Sequence, residues 1–136
     1  MVNLRFKSMR FFGSKEGEQK EECLKKVSQC NLYIGIIGHR YGNIPPGESL
    51  SITELEYEKA KAMKIPRRIY VASNSVLVRA EHLEGSTHQK KLEEFRLKVK
   101  AENTTPSFDN PDHLATLVLA DVSQLDTNVD EIESFK

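Results

Sequence analysis

Leu32-Tyr33-Ile34-Gly35-Ile36-Ile37, running straight into Gly38-His39-Arg40-Tyr41-Gly42, is the stretch on which the fold turns. A short apolar run with no charge in it has the pattern of a central strand buried on both faces. His39 to Leu50 then carries Gly42, Asn43, Pro45, Pro46 and Gly47, a composition that predicts a loop. Ser51-x-x-Glu54 offers a capping box, so a helix is expected from there to about Met63. Strand, loop and helix in that order make one unit of a parallel sheet.

Working outward, the same alternation continues. Upstream, Glu18 to Gln29 places Cys23, Leu24 and Val27 on one side of a charged segment and predicts an amphipathic helix. Residues 1–12 mix basic and aromatic side chains; they are expected to be irregular or a weak edge strand around Leu4 and Phe6. Downstream, Arg68-Ile69-Tyr70-Val71 reads as a second strand. Lys90 to Lys100, with Leu92, Phe95 and Val99 in register, reads as another helix. Thr105 to Phe108 is briefly extended. Asn110 and Pro111 supply an N-cap and a first-turn proline for a last helix striped by Leu114, Leu117, Val118, Val122 and Leu125. Residues 126–136 form a polar, acidic tail that is expected to fray. The order predicts a single α/β domain over residues 1–125, in three layers: a parallel sheet with helices on both faces.

Bulk properties bound the function. A chain of 136 residues suffices for one domain, which buries about two-thirds of its unfolded surface. The formal net charge is zero with 29% charged residues, so no global attraction to nucleic acid or an anionic membrane is expected. Leu32 to Ile37 is the longest apolar stretch and is too short to span a bilayer. The N-terminus lacks the apolar run of a secretory signal. Cys23 and Cys30 would share a helical face about 10 Å apart, too far for a disulfide. They are read as reduced, half-buried residues of a cytoplasmic protein. With no histidine at ligand spacing from either cysteine, no metal site is expected.

Ligands of open parallel sheets bind beyond the carboxyl ends of the strands, here at Gly38-His39-Arg40-Tyr41-Gly42. Two readings of this loop stand side by side. Gly35, Gly38 and Gly42 let backbone come close to a ligand, and Arg40 can meet a phosphate or carboxylate. The reading that the residues favour is that the glycines serve tight turns and Arg40 is solvated or ion-paired. The spacing is neither a dinucleotide fingerprint nor a P-loop. His39 borders the crevice, either as a hydrogen-bonding group or as an ordinary turn residue. His82, His88 and His113 are scattered singletons, and no serine or cysteine stands in a nucleophile elbow.

On the helix after Ser51, about 100° per residue puts Ile52, Leu55, Ala60, Ala62 and Met63 on one arc. Glu54 and Glu58 then fall on the solvent side. Glu56 falls on the apolar arc, where a carboxylate costs stability unless it is paired or functional. Pairing with Lys59 or Arg40, or reaching out to water, is the competing account.

The block Cys30-Asn-Leu-Tyr-Ile-Gly-Ile-Ile-Gly-His-Arg-Tyr-Gly-Asn-Ile-Pro-Pro-Gly, followed by Ser51-Ile-Thr-Glu-Leu-Glu-Tyr-Glu-Lys-Ala, resembles a known family closely. It looks like the TIR-related domain of unknown function found at the front of NACHT-type and other signalling NTPases. Lys90-Lys-Leu-Glu-Glu-Phe-Arg and Phe108-Asp-Asn-Pro-Asp-His-Leu resemble its later helix and final strand–helix junction, so about Phe12 to Leu125 is covered. The resemblance implies a flavodoxin/TIR-like fold. That family opens with a strand carrying a Ser-Ser-Thr-like turn and then a helix rich in acidic and arginine residues. This chain has neither, which makes an N-terminally truncated domain the expectation, with half of the crevice lining missing. Lys64-Ile-Pro-Arg-Arg-Ile-Tyr also stands where the family has a Gly-Lys-Pro turn and an apolar strand.

In TIR domains and the related nucleoside deoxyribosyltransferases, a glutamate four residues before a small residue on this helix acts at the ribose C1′ carbon. Glu56, four before Ala60, holds that place; Glu54 does not match and is the fallback. The resemblance therefore implies three alternatives. The first is a signalling module, of a prokaryotic defence or NTPase-linked system, that binds protein partners or itself through TIR-like surfaces or an open sheet edge. The second is an N-glycosidase cleaving NAD or another nucleotide, with Glu56 stabilising an oxocarbenium-like centre. The third is a nucleotide sensor without turnover. The second and third share one ligand-binding set: Gly38, His39, Arg40, Tyr41, Gly42 and Ser51.

Overall fold

The apolar run Leu32–Ile37 forms strand β2 of a computed structural model that describes the backbone of residues 9–11 and 20–134, and the side chains of residues 20–124. Around it lie β1 (Met9–Phe11), α1 (Lys20–Ser28), α2 (Ile52–Ala62), β3 (Arg67–Ala72), α3 (Ser86–Glu102), β4 (Ser107–Phe108) and α4 (Pro111–Ser134). The strands are all parallel and lie in chain order, β1-β2-β3-β4. Crossovers that keep to the right-handed rule while stepping in one direction put every connecting helix on the same face. The packing follows that rule. Val27 of α1 and Ala60 of α2 meet Tyr33 on one face of β2. On that same face Tyr57 of α2 and Leu92, Phe95 and Val99 of α3 cover Ile37, Ile69 and Val71. The opposite face shows Leu32, Ile34, Tyr70, Ala72 and Phe108, and it is covered by Leu114, Leu117, Val118 and Val122 of α4. The α/β, flavodoxin-like arrangement with helices on both faces is thus present, three of them on one side and α4 on the other.

The boundaries expected for α1, β2, α2 and β3 agree with the structure to within a residue or two. Asn110 caps α4 as expected, its Oδ1 accepting from His113 N–H at 2.8 Å. Four expectations change. α3 begins at Ser86, not Lys90, because Ser86 to Lys90 carry no apolar residue to mark the periodicity. Helix α4 extends beyond the apolar stripe, to Ser134. Cys23 and Cys30 form no disulfide and are buried, not half-buried. The core-facing residues of α2 are Ile52, Glu56, Tyr57 and Ala60, while Met63 is 43% exposed and Ala62 is also exposed. The expectation about Leu4 and Phe6 lies outside the described residues. No helix among the described residues is long and apolar enough to cross a membrane.

β4 is short for a chemical reason. Val71 N–H donates to Pro106 O at 3.0 Å and Ser73 N–H to Phe108 O at 2.9 Å, so odd-numbered residues of β3 turn toward β4. Ile69 turns the same way, but the residue placed to donate to its carbonyl is Pro106, which has no N–H. The ladder stops there, leaving a cleft of about 380 Å³ along the first half of β3, lined by Arg67, Arg68, Thr104 and Asp121 among others. Arg68 Nη1 donates to the carbonyl of Arg67 at 3.1 Å beside it.

Candidate functional site

The carboxyl ends of β2 and β3 carry the residues that the crevice rule singles out. Gly38 and His39 leave β2, and Arg96 of α3 reaches down to both. Arg96 Nη2 donates to Gly38 O at 2.6 Å and to His39 Nδ1 at 2.8 Å. Since a guanidinium only donates, His39 Nδ1 is the acceptor, and its Nε2 donates to Ser73 O at 3.0 Å beyond β3. His39 therefore bridges two strand ends as a positioned hydrogen-bonding group. Arg96 Nε is buried without a hydrogen-bond partner among the described residues, and Nη1 has only a 3.8 Å contact to the exposed Glu93. Two clefts meet at Arg96. One, of about 380 Å³, is bounded by His39, Val76, Leu77, Val78, Leu83 and Leu92 among others. The other, of about 450 Å³, is more polar, with Ser73, Asn74, Lys100, Thr105 and Ser107.

Beyond His39 the loop turns under α2. Tyr41 is buried, and its hydroxyl links the loop to the start of the helix. It donates to Glu54 Oε1 at 2.6 Å and accepts from Ser51 N–H at 3.1 Å, while Ser51 Oγ accepts from Glu54 N–H at 3.2 Å. The capping box is thus present in altered form, with the tyrosine hydroxyl standing between the Ser51 amide and the Glu54 carboxylate. Burial, and then the Glu54 carboxylate, push the Tyr41 hydroxyl up to about 12. Lys98 of α3 completes the cluster with ion pairs to Glu54 and, at 2.6 Å, to Glu58. This corrects the solvent-side position expected for Glu54, which is 6% exposed, because α3 packs along that side of α2.

The backbone N–H groups of Tyr41 and Gly42 point the other way, to one carboxylate. Glu84, on the segment between β3 and α3, accepts from Tyr41 N–H through Oε1 and from Gly42 N–H through Oε2, the latter at 3.0 Å. Gly42 has φ +99°, a conformation that only glycine adopts freely, and it lets the successive amides converge. Arg40 is exposed and lines a small cleft of about 140 Å³ beside Tyr41, Gly42 and Thr53.

Glu56 is 0% exposed. It accepts from the hydroxyl of Tyr33 at 3.3 Å, near the amino end of β2, rather than from Lys59 or Arg40. The structure therefore gathers Gly38, His39, Tyr41, Gly42 and Ser51 at the strand ends, sets Arg40 at their rim, and joins Glu56 to Tyr33. Arg96 and Glu84 were not singled out by the sequence; each is one charged residue among many on a polar helix face or loop, with no motif to mark it. No group of histidine, cysteine and carboxylate residues able to hold a metal occurs among the described residues.

No curated protein and no solved structure matches the chain. Residues 2–123 match the domain of unknown function DUF4062, nearly the whole of the sheet and its helices, and the protein belongs to that family.

Proposed function

We propose that this domain is a TIR-like interaction module of a cytoplasmic signalling system, NTPase-linked or serving prokaryotic defence. It acts by associating with protein partners or with itself through an open sheet edge. The observation that carries this reading is the half-open edge of β3. Only Val71 and Ala72 pair with β4, and Arg67 to Tyr70 border a cleft of about 380 Å³. Backbone groups turned toward such an edge are a template for a further strand. Sedimentation velocity across a wide concentration range tests it. Association that weakens on Thr104→Lys, a charge set into the cleft, is the expected result. A clean monomer at every concentration, with no partner recovered by the assembled signalling system, would count decisively against it.

A second reading is favoured by one observation, the buried Glu56 carboxylate. Such a group beside the Tyr33 hydroxyl has the desolvated setting of a functional acid. In this reading Glu56 would stabilise positive charge at a ribose C1′ as the base leaves NAD or another nucleotide. Chemistry there requires Glu56 to be uncovered, which orders this reading second. Incubation with NAD should then release nicotinamide, and Glu56→Gln should abolish release. Saturable NAD binding with no release would instead indicate a nucleotide sensor using the crevice.

A further inference from the structure

A carboxylate already occupies the loop that the sequence marked for ligands, and it is the protein's own. Glu84 lies more than forty positions from Tyr41 and Gly42, yet each of its oxygens takes one of their adjacent amides. The positive φ of Gly42 is what aims both donors at a single acceptor. An exposed Arg40 stands beside them and adds positive charge at the rim.

The segment that delivers Glu84 is anchored near its start, where Val76 packs against the apolar cluster under α4, and is largely exposed beyond it. Leu77 is 94% exposed and Leu83 61% exposed, and the 3₁₀ turn Ala80–His82 between them has no buried residue. The described hydrogen bonds of residues 74–83 are local: Ser75 and Val76 to Ser73, His82 to Arg79, Leu83 to Ala80. At the α3 end, Gln89 holds the Glu84 and Gly85 carbonyls, and the Glu84 carboxylate is the described polar group that ties this segment to the loop after β2. A planar carboxylate on two parallel N–H donors is matched in spacing as well as charge.

We propose that the Tyr41 and Gly42 amides form a carboxylate-binding site, and that Glu84 is a tethered occupant which an external carboxylate replaces when the 74–85 segment lifts. The external group belongs to a small organic acid or to the free carboxyl end of a peptide. Tethering gives Glu84 an effective concentration on the order of millimolar, which keeps the site closed to weak competitors. This site is distinct from the β3 edge, so neither proposal depends on the other.

The test uses backbone amide signals of Tyr41 and Gly42 in the intact chain. In Glu84→Ala, acetate should shift both signals saturably, while the unaltered protein should not respond over the same concentrations. A blocked tripeptide with a free carboxyl terminus separates the sources. Saturation at a tenfold lower concentration than acetate assigns a peptide end, and equal saturation assigns a small acid. Glu84→Gln, which keeps the side-chain length and one acceptor, serves if the alanine variant fails to fold, with a partial response expected. The proposal is overturned by amide signals that stay fixed in a folded Glu84 variant, by an equal response in the unaltered protein, or by inorganic phosphate binding more tightly than acetate.

Discussion

Glu54 and Glu56 stand two positions apart on α2, and both are buried. Glu54 is enclosed by Tyr41, Ser51 and Lys98, so its charge is matched by a cation and two hydrogen bonds reach its capping box. Lys98→Ala removes that cation and leaves a carboxylate whose side chain is 9% exposed. A loss of about 1–3 kcal/mol in chemical denaturation is expected, with Lys98→Arg recovering most of it. Tyr33 partners Glu56 across the sheet face, where no sequence period could have named it. Gly42 is the other residue whose role depends on its neighbourhood. A Cβ there meets Thr53 Oγ1 only at 3.8 Å, so space is not the obstacle; the φ of +99° is. Gly42→Ala should therefore cost about 1–2 kcal/mol and disturb the amide pair that holds Glu84.

At the scale of elements, α3 ties the site together. Its apolar side seats Leu92, Phe95 and Val99 on β2 and β3, while Arg96 and Lys98 project to either flank, one to His39 and one to Glu54. Phe95 sits at the centre, edge-on to both Tyr41 and Tyr57 at centroid distances of 6.4 and 5.6 Å. Phe95→Ala is expected to lower stability by about 3–5 kcal/mol. Because Arg96 is the next residue, loss of the His39 contact should accompany it, visible as a change in the His39 ring signals. The helix's first turn carried no apolar residue, so its true start was set by chain geometry, with Gln89 N–H bonded to Gly85 O at 3.1 Å. Pro106 shows the same limit from the other side. Its effect on β4 follows from proline chemistry, but only the register of β3 against β4 tells which carbonyl loses its donor. In Pro106→Ala the new amide should exchange slowly with solvent, since Ile69 O lies in position to accept from it.

For the molecule as a whole, the buried tyrosines couple folding to alkaline pH. Tyr41, Tyr57 and Tyr70 all have their hydroxyls raised, chiefly by burial, Tyr41 to about 12. An acid whose folded value lies above its unfolded one favours the fold fully below the unfolded value. That contribution is lost as pH climbs from about 10 toward about 12, because the unfolded chain ionises first. Denaturant midpoints should therefore be flat near neutrality and fall steeply above about pH 10. Tyr41→Phe should lower stability at neutral pH while making the alkaline decline shallower.

What the amino-acid order determined by itself was local and periodic. The apolar run Leu32–Ile37, the loop glycines and prolines, the Ser51 cap and the Asn110–Pro111 start of α4 all depend on chemistry within a few residues, and each lies where expected. The position of Glu56 off the solvent face was legible for the same reason. The meeting of distant groups was decided only by the tertiary structure. Arg96 reaching His39 and Lys98 enclosing Glu54 depend on how far α3 stands from β2 and α2, and Glu84 reaching the Tyr41–Gly42 amides depends on the path of a loop. Those distances arise from the packing of whole faces against one another, a property of pairs of elements that no single stretch of chain contains.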